Sequence, residues 1–252
     1  MCRQLVSFTQ PRLPDVYWLQ QTDSDVPAGS TWLSAGEIER LDDIRFPKRR
    51  ADWRLGRWTS KCAVAAYLHD SYDLSDLSNI EVRAAASGAP EVFHNNQRAA
   101  FNISLSHRDG ISICAVAPAN MLLGCDVEKI EPRSDAFVSD YFVAEEQKFV
   151  AETPHNERPG IVAALWSAKE SALKAMQIGL RADTRFVVVH DLDKDRNGVP
   201  TKSIWRPMQV SSQEQTHFHG WWRIAGQFVL TIVGYPSPSR PVELNAPADR
   251  PI

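Results

Sequence analysis

The chain has 252 residues, of which 43% are hydrophobic and 23% charged, with a formal net charge of −3. This length allows one large domain or two small ones to bury a proper core. The nearly balanced charge argues against nucleic acid or an anionic membrane as the general partner.

The first third of the chain predicts one strand and two helices. Residues 1–10 contain no apolar secretion signal, and no run of about 18 apolar residues follows, so we expect a cytoplasmic protein without a membrane span. The stretch DVYWLQ (15–20) alternates apolar and polar residues, which predicts a strand. Ser34 and Glu37 have the spacing of a capping box that opens a short helix. Pro47 then opens an amphipathic helix over about 48–69.

This second helix is basic. Arginine and lysine occupy eight positions of segment 40–61, namely Arg40, Arg45, Lys48, Arg49, Arg50, Arg54, Arg57 and Lys61. Such a run commonly forms a solvated polar face. Alternatively its arginines bind phosphate, because the planar guanidinium matches phosphate geometry.

The rest of the chain predicts strands, then helices, then strands again. We predict strands over 80–86, 101–107, 111–117 and 121–130, helices over about 134–142, 144–152 and 161–178, and strands over 185–192 and 221–235. This order is typical of an α+β fold. We predict an N-terminal lobe over 1–119, a C-terminal lobe over 120–235 and a Pro-rich mobile tail over 236–252.

Two acids lie near the end of a predicted strand. Asp126 and Glu128 are two residues apart, so their side chains point to the same face of the strand. One interpretation is a pair of solvated acids bonded to nearby lysines. The other is a cation site, because converging carboxylates repel unless a proton or a metal intervenes.

A glutamate and a lysine share one face of a predicted helix. Glu170 and Lys174 are four residues apart, a spacing that also suits an ordinary surface ion pair. The apolar residues around them indicate a helix packed on the core, so we expect these charges to border a cleft. Glu170 would then supply a third carboxylate to a magnesium site formed with Asp126 and Glu128.

Ser106 and His107 end a predicted strand before the turn RDG. A histidine beside a loop is commonly solvated, but a strand-end serine and histidine also donate hydrogen bonds to phosphate. Taken together, three carboxylates, a lysine and separate cationic contacts indicate phosphoryl chemistry that depends on a metal.

The segments FNISLSH, GCDVEKIEPR and LWSAKESALK, in this order, closely resemble the 4′-phosphopantetheinyl transferase superfamily. The upstream segments RFPKRRADWRLGRWTSK and SGAPEVF are similar to its earlier motifs. The resemblance covers roughly residues 34–192 and is closest to the large type that activates peptide and polyketide synthetases. It implies a monomer of two similar α+β lobes related by a pseudo-twofold axis, with coenzyme A in the cleft between them.

The resemblance also implies an activity and roles for residues. Members transfer 4′-phosphopantetheine from coenzyme A to a serine of an apo carrier protein and release 3′,5′-ADP, with magnesium. Asp126, Glu128 and Glu170 would hold the metal, and Glu170 would also act as the base, directly or through a water. Lys174 would stabilise charge on the pyrophosphate. The implied phosphate contacts are Arg50, Arg54, Arg57, Ser106 and His107.

The sequence departs from the family in one turn. Many members have G-K-P there, whereas Gly88, Ala89 and Pro90 provide no lysine unless Arg83 replaces it. Two alternatives stay open: a catalytically decayed homologue that binds coenzyme A or a carrier protein, and a domain that binds polyanions through the basic helix. Neither nucleic acid nor a membrane is the expected partner.

Overall fold

The computed structural model describes residues 15–68, 74–179, 182–192 and 204–245. The fold is α+β, in agreement with the sequence prediction. The helices are α1 Ala35–Asp42, α2 Pro47–Leu68, α3 Asp135–Tyr141, α4 Ala144–Glu152 and α5 Arg158–Ala175. The strands are β1 Tyr17–Thr22, β2 Ile80–Ala84, β3 Pro90–His94, β4 Gln97–Arg98, β5 Phe101–Arg108, β6 Ile111–Pro118, β7 Leu122–Lys129, β8 Val187–Leu192, β9 Arg206–Ser212, β10 His217–Ala225, β11 Phe228–Tyr235 and β12 Val242–Glu243.

The strands form two large sheets and one small one. The first sheet has the order β12-β1-β6-β5, the second β7-β11-β10-β9-β8, and the small sheet β2-β3-β4. The hairpin of β5 and β6 is antiparallel, with Ser106 opposite Ile113. No helix within the described ranges combines the length and the hydropathy needed to cross a bilayer.

The main elements stack in four layers. Helix α2 covers one face of the first sheet, where Trp58, Cys62 and Val116 share a buried core. Helix α5 covers one face of the second sheet in the same way. The opposite faces of the two sheets pack together, so Trp18 of β1 and Ile232 of β11 belong to one central core. The two large sheets therefore meet along an apolar interface. We call the first sheet with α1, α2 and the small sheet the first lobe, and the second sheet with α3, α4 and α5 the second lobe.

A buried ion pair ties the first lobe together. Lys61 of α2 is fully buried, and its Nζ lies 2.5 Å from Oε2 of Glu37 in α1. This ammonium also donates to the backbone carbonyls of Trp32 and Leu77 at 2.8 and 3.0 Å. Glu37 accepts from the backbone N–H of Ser34 at 3.1 Å, which is the capping box predicted from the sequence, and its other oxygen accepts from the Val82 N–H of β2.

The second lobe repeats this arrangement. Lys169 of α5 is fully buried and lies 2.8 Å from Glu146 in α4. The ammonium donates to the Thr184 and Val187 carbonyls at 3.1 and 2.5 Å. Like Glu37, Glu146 accepts from a backbone N–H at the start of its own short helix and from a strand N–H, that of Val189 at 2.8 Å. In each lobe, a buried lysine–glutamate pair thus joins a short helix, a long helix and a strand.

Part of the segment predicted as a mobile tail is paired with the first sheet. Strand β12 runs parallel to β1, and the N–H groups of Val242 and Leu244 donate to the Val16 and Trp18 carbonyls at 2.9 and 2.8 Å. The Pro-rich composition that predicted mobility gives no sign of this pairing, because two N–H groups are enough to extend a sheet edge. Residues 246–252 lie outside the described part of the chain.

Candidate active site

The candidate site lies where α5 crosses β7. Asp126 and Glu128 point to one face of β7, while Cys125 and Val127 point into the central core. At Gly124 the backbone of β7 lies very close to the backbone of α5, since a Cβ added there would lie 1.8 Å from the Ser171 carbonyl oxygen. Only glycine permits this approach.

The three predicted metal ligands lie together. One carboxylate oxygen each from Asp126, Glu128 and Glu170 falls within 4.8 Å of the other two. Asp126 and Glu128 are only 2% and 7% exposed. Their Oδ2 and Oε2 atoms are buried without a hydrogen-bond partner among the described residues. Buried carboxylate oxygens that accept no hydrogen bond fit a hard divalent cation such as magnesium.

The pKa shifts of the triad also favour a bound cation. Burial and the charge of Asp126 raise the pKa of Glu170 to about 7, against the opposing effect of Lys174. Burial and Asp126 also raise the pKa of Glu128. These carboxylates repel each other in a poorly solvated site. A bound cation would reduce the repulsion and keep the carboxylates ionised.

Lys174 is held by three acceptors. Its Nζ donates to Asp126 Oδ1 at 2.7 Å, to Ser106 Oγ at 3.0 Å and to the Cys125 carbonyl at 3.1 Å. Burial is the largest single effect and lowers the pKa of this lysine. The negative charges of Asp126, Cys125 and Glu170, together with the hydrogen bond to Asp126, outweigh burial, so the pKa is raised overall. The ammonium is thus charged and fixed beside the acid triad.

Ser106 links the two lobes at this point. It lies on β5 of the first lobe, accepts from Lys174 and donates to Asp126 Oδ1 at 2.7 Å. The sequence predicted Ser106 as a phosphate contact. In the structure its hydroxyl orients two residues of the candidate site, one of them a candidate metal ligand.

Two arginines that the sequence analysis missed border the triad. Arg108 Nε and an Arg133 terminal nitrogen lie 4.0 and 3.6 Å from Glu128 Oε2. Both arginines also pair with Glu131, at 3.3 and 3.1 Å. Arg108 follows Ser106 by two residues on β5 and therefore shares its face, a spacing that could have identified it.

Two of the predicted phosphate-binding arginines have partners within the first lobe. The Arg54 guanidinium donates to Ser30 Oγ at 3.0 Å and to the carbonyls of Pro27, Ala28 and Gly29 at 2.5, 3.2 and 2.7 Å. Arg50 donates to the Leu41 carbonyl and lies 3.6 Å from Asp42. Each would have to give up these contacts to bind a phosphate.

Arg57 lies on α2, and His107 lies on the face of β5 that faces α2. The guanidinium of Arg57 is mostly buried, stacks over Trp53 and lies 3.7 Å from Glu37. The side chain of His107 is exposed and points to the face of β5 opposite to Ser106. The structure therefore brings Ser106 to the acid triad but places His107 on the other side of the strand.

A pocket of about 240 Å³ opens next to Lys174. One wall consists of the turn and strand at 85–92 together with β5 at 101–105, and the other of the start of β7 and the end of α5. Residues from both lobes line it, and Lys174 connects it with the acid triad. The cleft between the lobes thus contains both a cavity and a cluster of charged groups.

The turn that has no lysine forms one rim of this pocket. Ala89 lines it, whereas Arg83, the replacement suggested by the sequence, pairs with Glu81 at 2.7 Å and is not among the described lining residues. Arg98 does line the pocket and pairs with Glu91 at 2.7 Å. Arg98 is therefore the cation that the turn side of the pocket presents.

Part of the chain matches a known family. Residues 122–233 match the family model described as the 4′-phosphopantetheinyl transferase superfamily. The matched segment runs from β7 to β11 and includes the acid triad and Lys174. Comparison with curated proteins found no match.

Proposed function

We propose that this chain, whose residues 122–233 match the 4′-phosphopantetheinyl transferase superfamily, transfers 4′-phosphopantetheine from coenzyme A to a serine of an apo carrier protein. The released product would be 3′,5′-ADP. The observation that supports this proposal most directly is the buried acid triad with Lys174 beside an interlobe pocket. Phosphoryl transfer needs this combination of a cation site and a fixed positive charge next to a ligand cavity.

Asp126, Glu128 and Glu170 would hold magnesium. The ion would neutralise pyrophosphate charge and hold its oxygens in place. The buried Oδ2 of Asp126 and Oε2 of Glu128, neither of which accepts a hydrogen bond from the described residues, support these two ligands. Lys174 occupies Oδ1 of Asp126, which leaves Oδ2 for the metal.

Glu170 is the proposed base. It would accept the proton of the carrier serine while the serine oxygen bonds to the β-phosphorus of coenzyme A. The bond from that phosphorus to the oxygen of 3′,5′-ADP breaks in the same displacement. Burial and Asp126 raise the pKa of Glu170 to about 7 in the metal-free site. A bound cation would lower this pKa, so Glu170 would be the ionised carboxylate that accepts the proton.

Lys174 would stabilise the charge that develops on the leaving 3′,5′-ADP. Its ammonium is fixed by Asp126, Ser106 and the Cys125 carbonyl, so no reorganisation is needed during the reaction. Its position at the wall of the pocket supports placing coenzyme A there. Phosphate contacts by Arg50, Arg54, Arg57, Ser106 and His107 belong to the same proposal.

The proposed setting is a monomer that acts in the cytoplasm on an acyl or peptidyl carrier protein. Titration calorimetry with coenzyme A, with and without magnesium, tests the ligand part of the proposal. We expect wild-type protein to bind coenzyme A more tightly with magnesium, and Asp126→Asn to lose that metal dependence. Binding that is unaffected by magnesium in wild type would contradict the metal site, and an absence of binding would contradict the proposed substrate.

A further inference from the structure

A cluster of three buried hydroxyl groups lies beneath the candidate site. Thr231 Oγ1 lies 2.8 Å from Ser167 Oγ and 2.7 Å from Ser171 Oγ. All three residues are fully buried. Thr231 is on β11 and the two serines are on α5, so the cluster fastens the helix to the second sheet. Ser171 Oγ also donates to the Thr231 carbonyl at 3.4 Å. Buried hydroxyls that bond across two elements fix their relative position, since these bonds are lost if the elements shift.

The cluster adjoins the residues of the acid triad. Thr231 lies directly opposite Asp126 in the pairing of β11 with β7. Ser171 follows Glu170 in sequence, and Ser167 lies one helical turn before Ser171. The hydroxyl contacts therefore set the rotation of α5 and its distance from the sheet. The same two quantities decide where the Glu170 carboxylate lies relative to Asp126.

The first lobe provides an internal comparison. The repeated ion pairs place Lys61 of α2 in the position of Lys169 of α5. Counting from these lysines, Cys62 takes the place of Glu170 and Ala63 the place of Ser171. The lobe without the acidic helix residue therefore also lacks one hydroxyl of the cluster.

The remaining hydroxyl of the first lobe has a different use. Thr59 takes the place of Ser167, and it donates to the Leu55 carbonyl of its own helix at 2.8 Å. Helix α2 nevertheless packs closely on the first sheet through Cys62 and Ala63, which are fully buried. Packing a long helix on a sheet in this fold thus does not require a hydroxyl cluster.

We propose that Thr231 is a positioning residue for the acid triad, acting through Ser167 and Ser171 on the placement of Glu170. Thr231 touches neither substrate nor metal. Its hydroxyl holds α5 at the distance and rotation that bring Glu170 to Asp126 and Glu128. This inference rests on the proposed function, since it assumes that the triad binds a divalent cation.

Two substitutions separate the hydroxyl from the packing of Thr231. Thr231→Val keeps the side-chain volume and removes the hydroxyl, whereas Thr231→Ser keeps the hydroxyl and removes a methyl group. The probe is Mn²⁺ alone, with its affinity measured by electron paramagnetic resonance on the intact chain. We expect Thr231→Val to bind Mn²⁺ about tenfold more weakly than wild type, the scale typical of outer residues around a metal site. Thr231→Ser should bind Mn²⁺ within about twofold of wild type.

The same protein samples are unfolded with urea to measure stability. A role in packing alone predicts that Thr231→Ser, which leaves a cavity, changes stability while Mn²⁺ affinity stays equal in all variants. That result would overturn the inference while leaving the metal site intact. If wild type binds no Mn²⁺, both the inference and the proposed metal site are overturned. Should Thr231→Val fail to fold, Ser167→Ala removes one of the same contacts, and unchanged Mn²⁺ affinity in that variant would overturn the inference.

Discussion

At the scale of single residues, Glu170 is the least stabilised charge of the site. Asp126 has Lys174 as a partner at 2.7 Å, and Glu128 has two arginines within 4.0 Å. Glu170 instead lies close to two other carboxylates, and burial with the charge of Asp126 raises its pKa to about 7. A bound cation would relieve this repulsion, and a carboxylate with a perturbed pKa is typical of functional sites. Both facts support Glu170 as a cation ligand and as a base.

We expect Glu170→Gln to abolish most of the transfer activity. The amide keeps the shape of the side chain but neither accepts the serine proton nor supplies a full charge to a metal. The rate should fall by at least about 10²-fold, the contribution typical of a positioned base. The measurement is kcat for carrier modification, with circular dichroism to establish that the variant is folded. Wild-type turnover would exclude Glu170 as the base.

The raised pKa of Glu170 also predicts a pH dependence of stability in the absence of metal. The native state holds a proton that the unfolded chain releases above about pH 4.5, so the free energy of unfolding falls as pH rises towards 7. The loss attributable to Glu170 should reach roughly 3 kcal/mol above pH 7.

Urea unfolding in a chelator at pH 5 and pH 8 measures this loss. Glu170→Gln should show a smaller decrease between the two pH values than wild type. Magnesium should stabilise wild type at pH 8, because binding to the native state alone shifts the equilibrium. Identical pH profiles for wild type and variant would contradict the assignment of this pKa to Glu170.

At the scale of elements, the site depends on the close approach of α5 to β7. We expect Gly124→Ala to destabilise the protein by about 1–3 kcal/mol, because the new Cβ would overlap the Ser171 carbonyl. Urea unfolding measures this change. Gly160→Ala on α5 is the control, since an added Cβ there meets nothing within 4 Å and alanine favours helix. Equal effects of the two substitutions would show that the approach at Gly124 is not tight.

The sequence indicated these elements well because their signals are local. The i, i+2 spacing of Asp126 and Glu128 and the i, i+4 spacing of Glu170 and Lys174 require only a strand and a helix, and the structure brings all four together. The contacts of Ser106 with Lys174 and Asp126 depend instead on how two lobes meet. No local pattern specifies that interface.

Partners distant in the chain explain the other differences. Arg54 donates hydrogen bonds to residues that precede it by 24 to 27 positions. A count of basic residues cannot predict these contacts. Lys169, which precedes Glu170 in the helix, is fully buried against Glu146. A single lysine between apolar residues of a core helix is a signal for burial only once its partner is known.

At the scale of the whole molecule, the two lobes repeat one buried ion pair but differ in chemistry. Lys169→Met should destabilise the protein by about 3–5 kcal/mol, because Glu146 would then be a buried charge without its ammonium partner. Lys148→Met removes an exposed ion pair with Glu152 at 3.8 Å and should change the free energy of unfolding by less than about 0.5 kcal/mol. Chemical denaturation measures the free energy of unfolding of both variants. A change below about 0.5 kcal/mol in Lys169→Met as well would show that the structure does not require the buried pair.

The asymmetry between the lobes concentrates the proposed chemistry in one cleft. The second lobe supplies the acid triad and Lys174, and the first supplies Ser106, Arg108 and most of one pocket wall. A ligand in the pocket would touch both lobes. We therefore expect transfer of phosphopantetheine to require both lobes.

The most direct test is intact-protein mass spectrometry of an apo carrier protein incubated with the chain, coenzyme A and magnesium. The account predicts that the carrier gains the mass of one phosphopantetheine group, and that a chelator or Glu170→Gln prevents the gain. An unmodified carrier across several unrelated carrier proteins, with coenzyme A still bound by the chain, would contradict the transferase account and favour a binding module that has lost catalysis.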